Sequence, residues 1–247
     1  MDFHANIVIL GDTEVGKTAL TKRYIGKKFQ EKYFMTLGID FMMINVNFAG
    51  ENGKFRVWDL GGHQYFEEIR KSYYKGMMGG IIVYDVTRPE SLLNIKVWIR
   101  EIHDSIRFRP FPLIILGNKV DLRREGKTHL REEQGLELVA QLRRELGDAL
   151  AIEFLETSAK TGFNVSTAFK LLAGMLFYQW RNDSTSFQWL SLSLLRRAVE
   201  QHLDLESLRP RDNNFCPYCG SFNLIAACEE LMEQKHLFCP TCVNIIQ

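Results

Sequence analysis

The chain has 247 residues, and its 31 lysines and arginines nearly balance 30 aspartates and glutamates, for a net charge of +1. This length accommodates one ordinary domain and a small appendage, and the near-neutral charge argues against a nucleic-acid-binding protein, which usually carries a basic excess. No apolar run approaches the length of a transmembrane helix and no signal peptide opens the chain, so we expect a cytoplasmic protein.

The first informative segment is residues 11–18, Gly-Asp-Thr-Glu-Val-Gly-Lys-Thr, which complete a phosphate-loop pattern. The apolar run Ile7–Leu10 precedes it and a helix-compatible stretch begins near Ala19, so backbone N–H groups should point at a phosphate chain. Lys17 is expected to reach the β- and γ-phosphates as a catalytic residue, and the Thr18 hydroxyl to bind Mg²⁺. The nucleotide-binding residues predicted in this segment are Gly11, Asp12, Thr13, Glu14, Val15, Gly16, Lys17, Thr18 and Ala19.

Three residues farther along could respond to the terminal phosphate. Asp59 follows the strand-like segment Lys54–Val57 and can hold Mg²⁺ through a water molecule. Gly62 has no Cβ, so its N–H can approach the γ-phosphate closely. Thr36 is a candidate for a catalytic loop hydroxyl that contacts both Mg²⁺ and the γ-phosphate. The residue types alone leave open that Asp59 is a turn residue and Thr36 an ordinary loop threonine.

A second element selects the base. The apolar run Leu113–Leu116 is read as a buried strand and is followed by Gly117-Asn118-Lys119-Val120-Asp121. The Asp121 carboxylate can accept N1–H and N2–H₂ of guanine, a donor pair that adenine lacks, and such a buried site rejects the analogue strongly. Asn118 can tie this loop to the phosphate loop and the Lys119 stem can cover the base. A backbone amide of Ser158-Ala159-Lys160, after Ile152–Leu155, would meet guanine O6.

A helical linker is predicted at 179–212. Ser184 or Thr185 can cap a helix. Its apolar residues at near-helical spacing are Trp189, Leu192, Leu195, Val199 and Leu203. Such a stripe either packs on its own protein or contacts a partner or a membrane surface. Leu208–Arg211 is expected to be the hinge into the tail.

The tail, 213–247, carries two C-x₂-C pairs separated by 19 residues. This spacing is typical of a four-cysteine zinc ribbon. The predicted Zn²⁺ ligands are Cys216, Cys219, Cys239 and Cys242. Short strands are expected in Phe222–Ala227 and Lys235–Phe238, and so small a segment would need the metal for stability.

Other interpretations of the tail remain open. Disulfides or a redox dithiol would use the same cysteines, although a cytosolic chain without a secretion signal disfavours both. His236 lies near the second cysteine pair and could replace a thiolate. Cys228 is expected to be a small buried residue of the ribbon.

Residues 1 to about 178 resemble the Ras superfamily of small GTPases, and within it the Rab-like branch. The motifs that carry the resemblance are Gly11–Thr18, Thr36–Phe41, Trp58–Gly62, Ser72–Gly76, Asn118–Asp121 and Glu156–Lys160. The resemblance implies an α/β domain with a doubly wound, six-stranded, mostly parallel sheet and ligands at the carboxyl ends of the strands. It also implies a molecular switch that binds GTP or GDP with Mg²⁺ and hydrolyses GTP.

The resemblance further implies how the switch meets its ligand and partners. Phe29 would pack against the guanine edge, and Phe41, Trp58 and Tyr73 would form an apolar effector patch, unless Tyr73 is a core residue. Exchange factors and GTPase-activating proteins are then expected partners.

The chain departs from the family at three positions. The family usually has Gln where this chain has His63, and that Gln orients the attacking water. A neutral imidazole can still hydrogen-bond a water, so His63 is expected to be catalytic but slow, with positive charge supplied by a partner. Thr13 adds a side chain beside the γ-phosphate, and Glu14 puts an anion in an anion-binding loop, where it is expected to point to solvent.

The chain is also expected to lack the lipid-attachment signals of Rab-like proteins. Neither Cys239 nor Cys242 is four residues from the end of the sequence, so no prenylation box is expected, and Asp2 argues against N-myristoylation. Membrane association is therefore expected to be peripheral or through a partner.

Three functions are compatible with these features. In the first, GTP and Mg²⁺ order Thr36 and the Gly62 loop and expose a partner surface, with the ribbon as a docking module. In the second, the protein is a GTP-locked scaffold with negligible hydrolysis, because His63 replaces Gln. In the third, the ribbon makes it a nucleic-acid adaptor, and the near-neutral net charge argues against this function.

Overall fold

Strands alternate with helices along most of the chain. The computed structural model describes residues 3–30, 36, 38–48, 51–106, 111–123, 129–146, 150–182, 237–239 and 244–246. The strands are β1 (Phe3–Leu10), β2 (Ile39–Phe48), β3 (Glu51–Leu60), β4 (Gly79–Asp85), β5 (Phe111–Asn118), β6 (Leu150–Glu156), β7 (Leu237–Cys239) and β8 (Asn244–Ile246). The helices are α1 (Lys17–Tyr24), α2 (Glu67–Tyr73), α3 (Pro89–Leu93), α4 (Ile95–Ser105), α5 (Glu132–Leu146) and α6 (Val165–Asn182), and 3₁₀ turns lie at Gln64–Phe66 and Val120–Leu122.

Six strands form one sheet in the order β2-β3-β1-β4-β5-β6. β2 runs antiparallel to β3, and the other neighbouring strands are parallel. Every residue of β4 and β5 is buried, as expected for central parallel strands covered on both faces. The predicted six-stranded, mostly parallel α/β sheet is therefore confirmed.

Helices cover both faces of the sheet, and the sheet separates the core into two apolar clusters. Leu20 of α1 and Phe169 of α6 belong to the cluster on one face. Trp98 and Ile102 of α4 and Val139 of α5 belong to the cluster on the other. The apolar residues of α4 recur at the three- and four-residue spacing that places them on one helical face.

The strands extend beyond the apolar runs that predict them. In β1, the predicted run Ile7–Leu10 is fully buried, whereas the preceding part of the strand has an exposed His4 between buried Phe3 and Ala5. This part of the strand carries polar side chains at alternate positions. A search for continuous apolar runs therefore finds only the fully buried end of the strand.

Only short pieces of the tail are described. β7 and β8 pair as an antiparallel hairpin, and Cys239 is the last residue of β7. The predicted ligands Cys216, Cys219 and Cys242, the predicted strand at 222–227 and the predicted helix at 184–208 lie outside the described residues. The predicted domain boundary at 178 falls within α6. In the parts of the chain with described structure, no helix is both long and apolar enough to cross a bilayer.

Candidate functional site

A cavity of about 410 Å³ opens beside the phosphate-loop residues and the loops that follow β5 and β6. Its lining residues are Thr13, Glu14, Gly16, Lys17, Thr18, Ala19, Phe29, Thr36, Gly62, Asn118, Lys119, Asp121, Leu122, Ala159 and Lys160. Each of these except Leu122 is a sequence-predicted nucleotide-binding residue. Of the other predicted residues, Gly11, Asp12, Val15, Asp59, His63 and Ser158 do not line the cavity. The folded chain thus brings most of the predicted site together around one space.

Two glycines allow the loop at residues 11–18 to close on itself. Gly11 has φ 131°, and a Cβ there would lie 2.1 Å from the Val83 carbonyl oxygen. Gly16 has φ 104°, and a Cβ there would lie 2.3 Å from Asn118 Nδ2. Residues that carry a side chain rarely adopt such positive φ angles. The loop therefore needs glycine at both positions for conformation and for space.

Lys17 lies under the loop with its ammonium group nearly buried. Its Nζ donates to the carbonyl oxygens of Gly11 at 2.8 Å and of Asp12 at 2.7 Å. An ammonium has three N–H donors, so a third remains available to an anion in the cavity. Burial lowers the pKa of Lys17 to about 8 from its ordinary value of 10.5. A bound phosphate would offset this cost of burial by supplying a counter-charge.

Three oxygen-bearing side chains meet at the edge of the cavity. The Thr18 hydroxyl lies 3.1 Å from the Thr36 hydroxyl and donates a short hydrogen bond to Asp59 Oδ2. Asp59 is fully buried, and its Oδ1 has no hydrogen-bond partner within the described structure. Burial raises the pKa of Asp59, against the opposing effects of the Thr18 hydrogen bond and the Lys17 charge. An orphaned carboxylate oxygen beside two hydroxyls suits a hard divalent cation such as Mg²⁺.

Asn118 joins the three loops around the cavity. Its Nδ2 donates to the Val15 carbonyl at 2.8 Å, and its Oδ1 accepts from the Ala159 N–H at 3.1 Å. The Thr157 hydroxyl also donates to Oδ1, at 3.4 Å. The predicted tie between the base loop (residues 117–121) and the phosphate loop (residues 11–18) is therefore observed as the hydrogen bond between Asn118 and Val15.

The Asp121 carboxylate, which is predicted to select the base, is held from one side. The Ser158 hydroxyl donates to Asp121 Oδ1 at 2.5 Å, and this fixes the orientation of an otherwise exposed carboxylate. The Ser158 N–H donates to the Phe163 carbonyl at 3.1 Å, and the Ala159 N–H is used by Asn118. The amide predicted to meet guanine O6 is therefore that of Lys160, or that of Ala159 if its N–H is shared.

The Gly62 loop packs directly on the phosphate loop. A Cβ on Gly62 would lie 2.4 Å from the Gly11 carbonyl oxygen and 2.7 Å from the Thr13 nitrogen. The neighbouring Gly61 donates its N–H to the Gly38 carbonyl at 2.8 Å. Backbone at this separation requires glycine, and the approach of the Gly62 N–H to a phosphate stays a prediction.

A buried arginine that the sequence did not reveal anchors this loop. Arg70 is 1% exposed and pairs with both Glu101 carboxylate oxygens, at 2.8 and 2.9 Å. Its Nη1 donates to the carbonyls of Gly61 at 3.0 Å and His63 at 2.8 Å. The guanidinium also lies over the Trp98 ring, 4.7 Å from its centroid. A single charged residue in a polar helix carries no sequence signal for such a role, because its partner is 31 positions away.

We expect Arg70→Met to lower the free energy of unfolding by about 3–5 kcal/mol, because it leaves the Glu101 carboxylate buried and unpaired. Denaturant unfolding measures this change. Lys71→Met is the matched control, since Lys71 pairs with Glu67 and Glu68 at the surface and exposed pairs contribute little. Equal effects of the two substitutions would contradict the assigned burial.

The Asp12 side chain is turned away from the cavity. Its carboxylate accepts from Asn94 Nδ2 at 2.8 Å and from the Trp98 indole N–H at 2.9 Å. Asp12 therefore fastens the loop to α4, and any contact it makes with a phosphate would come from its backbone.

Glu14 adopts a left-handed conformation, φ 62°, and lines the cavity with its exposed side chain. The left-handed region costs a non-glycine residue about 1–2 kcal/mol, and the carboxylate repels phosphate. We expect Glu14→Gly both to stabilise the protein and to tighten GDP binding about fivefold. Glu14→Gln separates the two causes, because it should tighten GDP binding without raising stability. Thermal unfolding and GDP displacement would test this, and unchanged GDP affinity in both variants would contradict it.

Three aromatic residues lie in a row beside this site. The Phe41 and Trp58 ring centroids are 5.5 Å apart, and those of Trp58 and Tyr73 are 5.3 Å apart. Phe41 is 53% exposed, and Trp58 and Tyr73 are half-buried. The residues predicted as an effector patch therefore form one contiguous, partly exposed aromatic surface.

Comparison with known proteins gives a consistent result. A protein family described as "Ras family" matches residues 6–177. The chain is 39% identical over 167 residues to Ras-related protein Rab-13 of Canis lupus familiaris, which covers 68% of this chain and 77% of that protein. It is 37% identical over 186 residues to Ypt/Rab-type GTPase YPT7 of Saccharomyces cerevisiae, covering 74% and 86%. It is 38% identical over 173 residues to Ras-related protein RIC1 of Oryza sativa subsp. japonica, covering 70% and 80%.

Proposed function

The chain belongs to the Ras family as a Rab-like small GTPase and GTP-binding molecular switch, and from that premise we propose that it binds Mg²⁺ with the nucleotide and hydrolyses GTP slowly. The observation that carries this proposal is that Lys17 and the base-loop residues Asn118 and Asp121 line the same cavity. A phosphate-binding ammonium and a guanine-selecting carboxylate in one cavity fit a guanine nucleotide.

Each group has a definite task in this proposal. Lys17 and the loop amides bind the phosphates, while Asp121 and Lys119 hold the base and Phe29 packs against its edge. Thr18, Thr36 and Asp59 would hold Mg²⁺, which neutralises charge on the phosphates during transfer. Gly62 offers its N–H to the terminal phosphate. Their close packing in the described structure supports this assignment.

The position of His63 explains why hydrolysis should be slow. Its side chain is exposed and absent from the cavity lining, and its Nδ1 accepts the Tyr65 N–H at 3.2 Å. The imidazole must therefore turn before it can orient a water molecule against the γ-phosphate. We propose that a GTPase-activating partner promotes this turn and supplies the missing positive charge.

We expect His63→Ala to reduce the partner-stimulated rate by about tenfold or more while GDP affinity stays at the wild-type level. Single-turnover GTP hydrolysis, measured with and without cell extract, provides the comparison. An unchanged rate in both conditions would remove His63 from the mechanism. Background rates of the wild-type protein in both conditions would favour the GTP-locked scaffold, which the exposed position of His63 also permits.

The aromatic row of Phe41, Trp58 and Tyr73 is proposed as the surface that effectors contact when GTP orders the loops beside it. Exchange factors and activating proteins are proposed partners of the same loops. The row joins β2, β3 and α2, so a nucleotide-dependent shift of any of them would change the surface.

For the tail, we propose a zinc ribbon at 213–247 behind a helical linker at 179–212 and a GTPase domain at 1–178. The support is the cysteine spacing and the β7–β8 hairpin, in which one ligand of the second pair, Cys239, ends a strand. Native mass spectrometry should find one Zn²⁺ per chain, lost on Cys216→Ser with Cys219→Ser. A metal-free wild-type chain would contradict the ribbon.

A further inference from the structure

Two charged residues lie near the phosphate loop, one at the end of β4 and one in the turn that follows it. Asp85 is the last residue of β4 and is 1% exposed. Arg88 lies just before α3. Neither belongs to the motifs that identify the nucleotide site, and neither lines the cavity.

Arg88 contacts the phosphate loop through one strong hydrogen bond. Its Nη2 donates to the Thr13 carbonyl at 2.6 Å, a short distance typical of a charge-assisted hydrogen bond. The Thr13 carbonyl and the Glu14 N–H belong to one planar peptide group, so they point in opposite directions. A donor on the carbonyl therefore fixes the direction of the Glu14 N–H and strengthens it as a donor.

The peptide that Arg88 holds needs such support. Glu14 has φ 62°, a conformation that a non-glycine residue adopts only at a cost. Thr13 also lies against Gly62, whose Cβ, if present, would be 2.7 Å from the Thr13 nitrogen. The held peptide therefore lies beside Gly62, the residue proposed to contact the terminal phosphate.

Asp85 connects Arg88 to the base loop. Its Oδ2 lies 2.7 Å from Lys119 Nζ and 3.6 Å from Arg88 Nε, and its Oδ1 accepts the Thr87 N–H and hydroxyl. Although burial disfavours the charged form, the hydrogen bonds from Lys119 and Thr87 lower the pKa of Asp85. The carboxylate is thus charged at neutral pH and shared by two cations from different loops.

We propose that Arg88 is a positioning residue for the nucleotide phosphates, acting through the Thr13–Glu14 peptide, and that Asp85 couples it to Lys119 in the base loop. This inference rests on the proposed function of the cavity. It implies that a base bound beside Lys119 strengthens the binding of the terminal phosphates, because Lys119 and Arg88 share the buried Asp85 carboxylate.

The test compares Arg88→Leu with Arg100→Leu, which removes an exposed arginine of α4. Displacement of a fluorescent GDP analogue by GDP and by GMP gives the two affinities. Loss of a charged hydrogen bond predicts GDP binding about tenfold weaker, with GMP unchanged, because GMP lacks the phosphates that face the held peptide. Arg100→Leu should change neither. Equal losses of affinity for GDP and GMP in Arg88→Leu, or no loss of GDP affinity, would overturn the positioning role of Arg88.

Two further measurements complete the test. If Arg88→Leu does not fold, Arg88→Lys keeps a charge but lacks the planar fork, and it must still lower the affinity for GDP more than the affinity for GMP.

The coupling is tested by combining Arg88→Leu with Lys119→Met. The GDP affinity of this double variant should differ by about threefold or more from the product of the single effects, and additive effects would overturn the coupling. A wild-type chain without guanine preference would remove the proposed function itself, whereas tight wild-type binding with unaffected Arg88 variants would remove only this inference.

Discussion

Asp121→Asn is expected to exchange guanine for xanthine as the preferred base. The Asp121 carboxylate presents two acceptors to the two donors of guanine, whereas an Asn amide presents one acceptor and one donor, which matches the C2 carbonyl of xanthine. A site built for a donor pair rejects a mismatched base strongly, so GDP affinity should fall about a thousandfold. Displacement assays with GDP and XDP would measure both changes.

The matched control for this exchange is Ser158→Ala. It removes the hydroxyl that donates to Asp121 Oδ1 at 2.5 Å but leaves both carboxylate acceptors in place. We expect GDP binding to weaken about threefold to tenfold, with no gain of xanthine binding. GDP affinity retained in Asp121→Asn would show that the base is selected elsewhere.

Gly62→Ala is expected to abolish the distinction between GTP and GDP. The added Cβ would lie 2.4 Å from the Gly11 carbonyl oxygen and 2.6 Å from the Asp12 carbonyl carbon. These are backbone atoms, so the Gly62 loop must move away and lose its N–H contact with the terminal phosphate. Loss of one such donor predicts hydrolysis about a hundredfold slower, with GDP affinity near wild type. Equilibrium titration with GDP and a non-hydrolysable GTP analogue, together with single-turnover rates, would measure it.

Gly76→Ala controls for the effect of removing a glycine. Gly76 has φ 85°, but a Cβ there meets nothing within 4 Å. This substitution should cost stability through backbone strain and leave the GTP-to-GDP affinity ratio unchanged. A preserved ratio in Gly62→Ala would contradict the role of Gly62 in sensing the terminal phosphate.

The sequence predicted the fold and most of the residues that line the cavity because both depend on short-range patterns. The phosphate loop is one contiguous segment between a strand and a helix, so its glycines and Lys17 can be read together. Parallel strands bring their carboxyl ends to one edge of the sheet, which is consistent with the predicted tie between Asn118 and the phosphate loop.

The sequence did not predict the residues that support the site from behind. Arg70 finds Glu101 across 31 positions, and Arg88 finds Thr13 across 75. These contacts depend on how α2, α3 and α4 pack against the sheet, and a lone arginine in a polar segment does not differ locally from a solvated one. The orientation of the exposed His63 side chain follows from its hydrogen bond with the Tyr65 N–H, which the motif that contains it does not specify.

The most direct test of this account is isothermal titration calorimetry of the nucleotide-free protein with GDP, GTP and ATP in the presence of Mg²⁺. We expect one site per chain, with both guanine nucleotides bound about a thousandfold or more tighter than ATP. Similar affinities for GTP and ATP would contradict the assignment of Asp121 as the group that selects guanine.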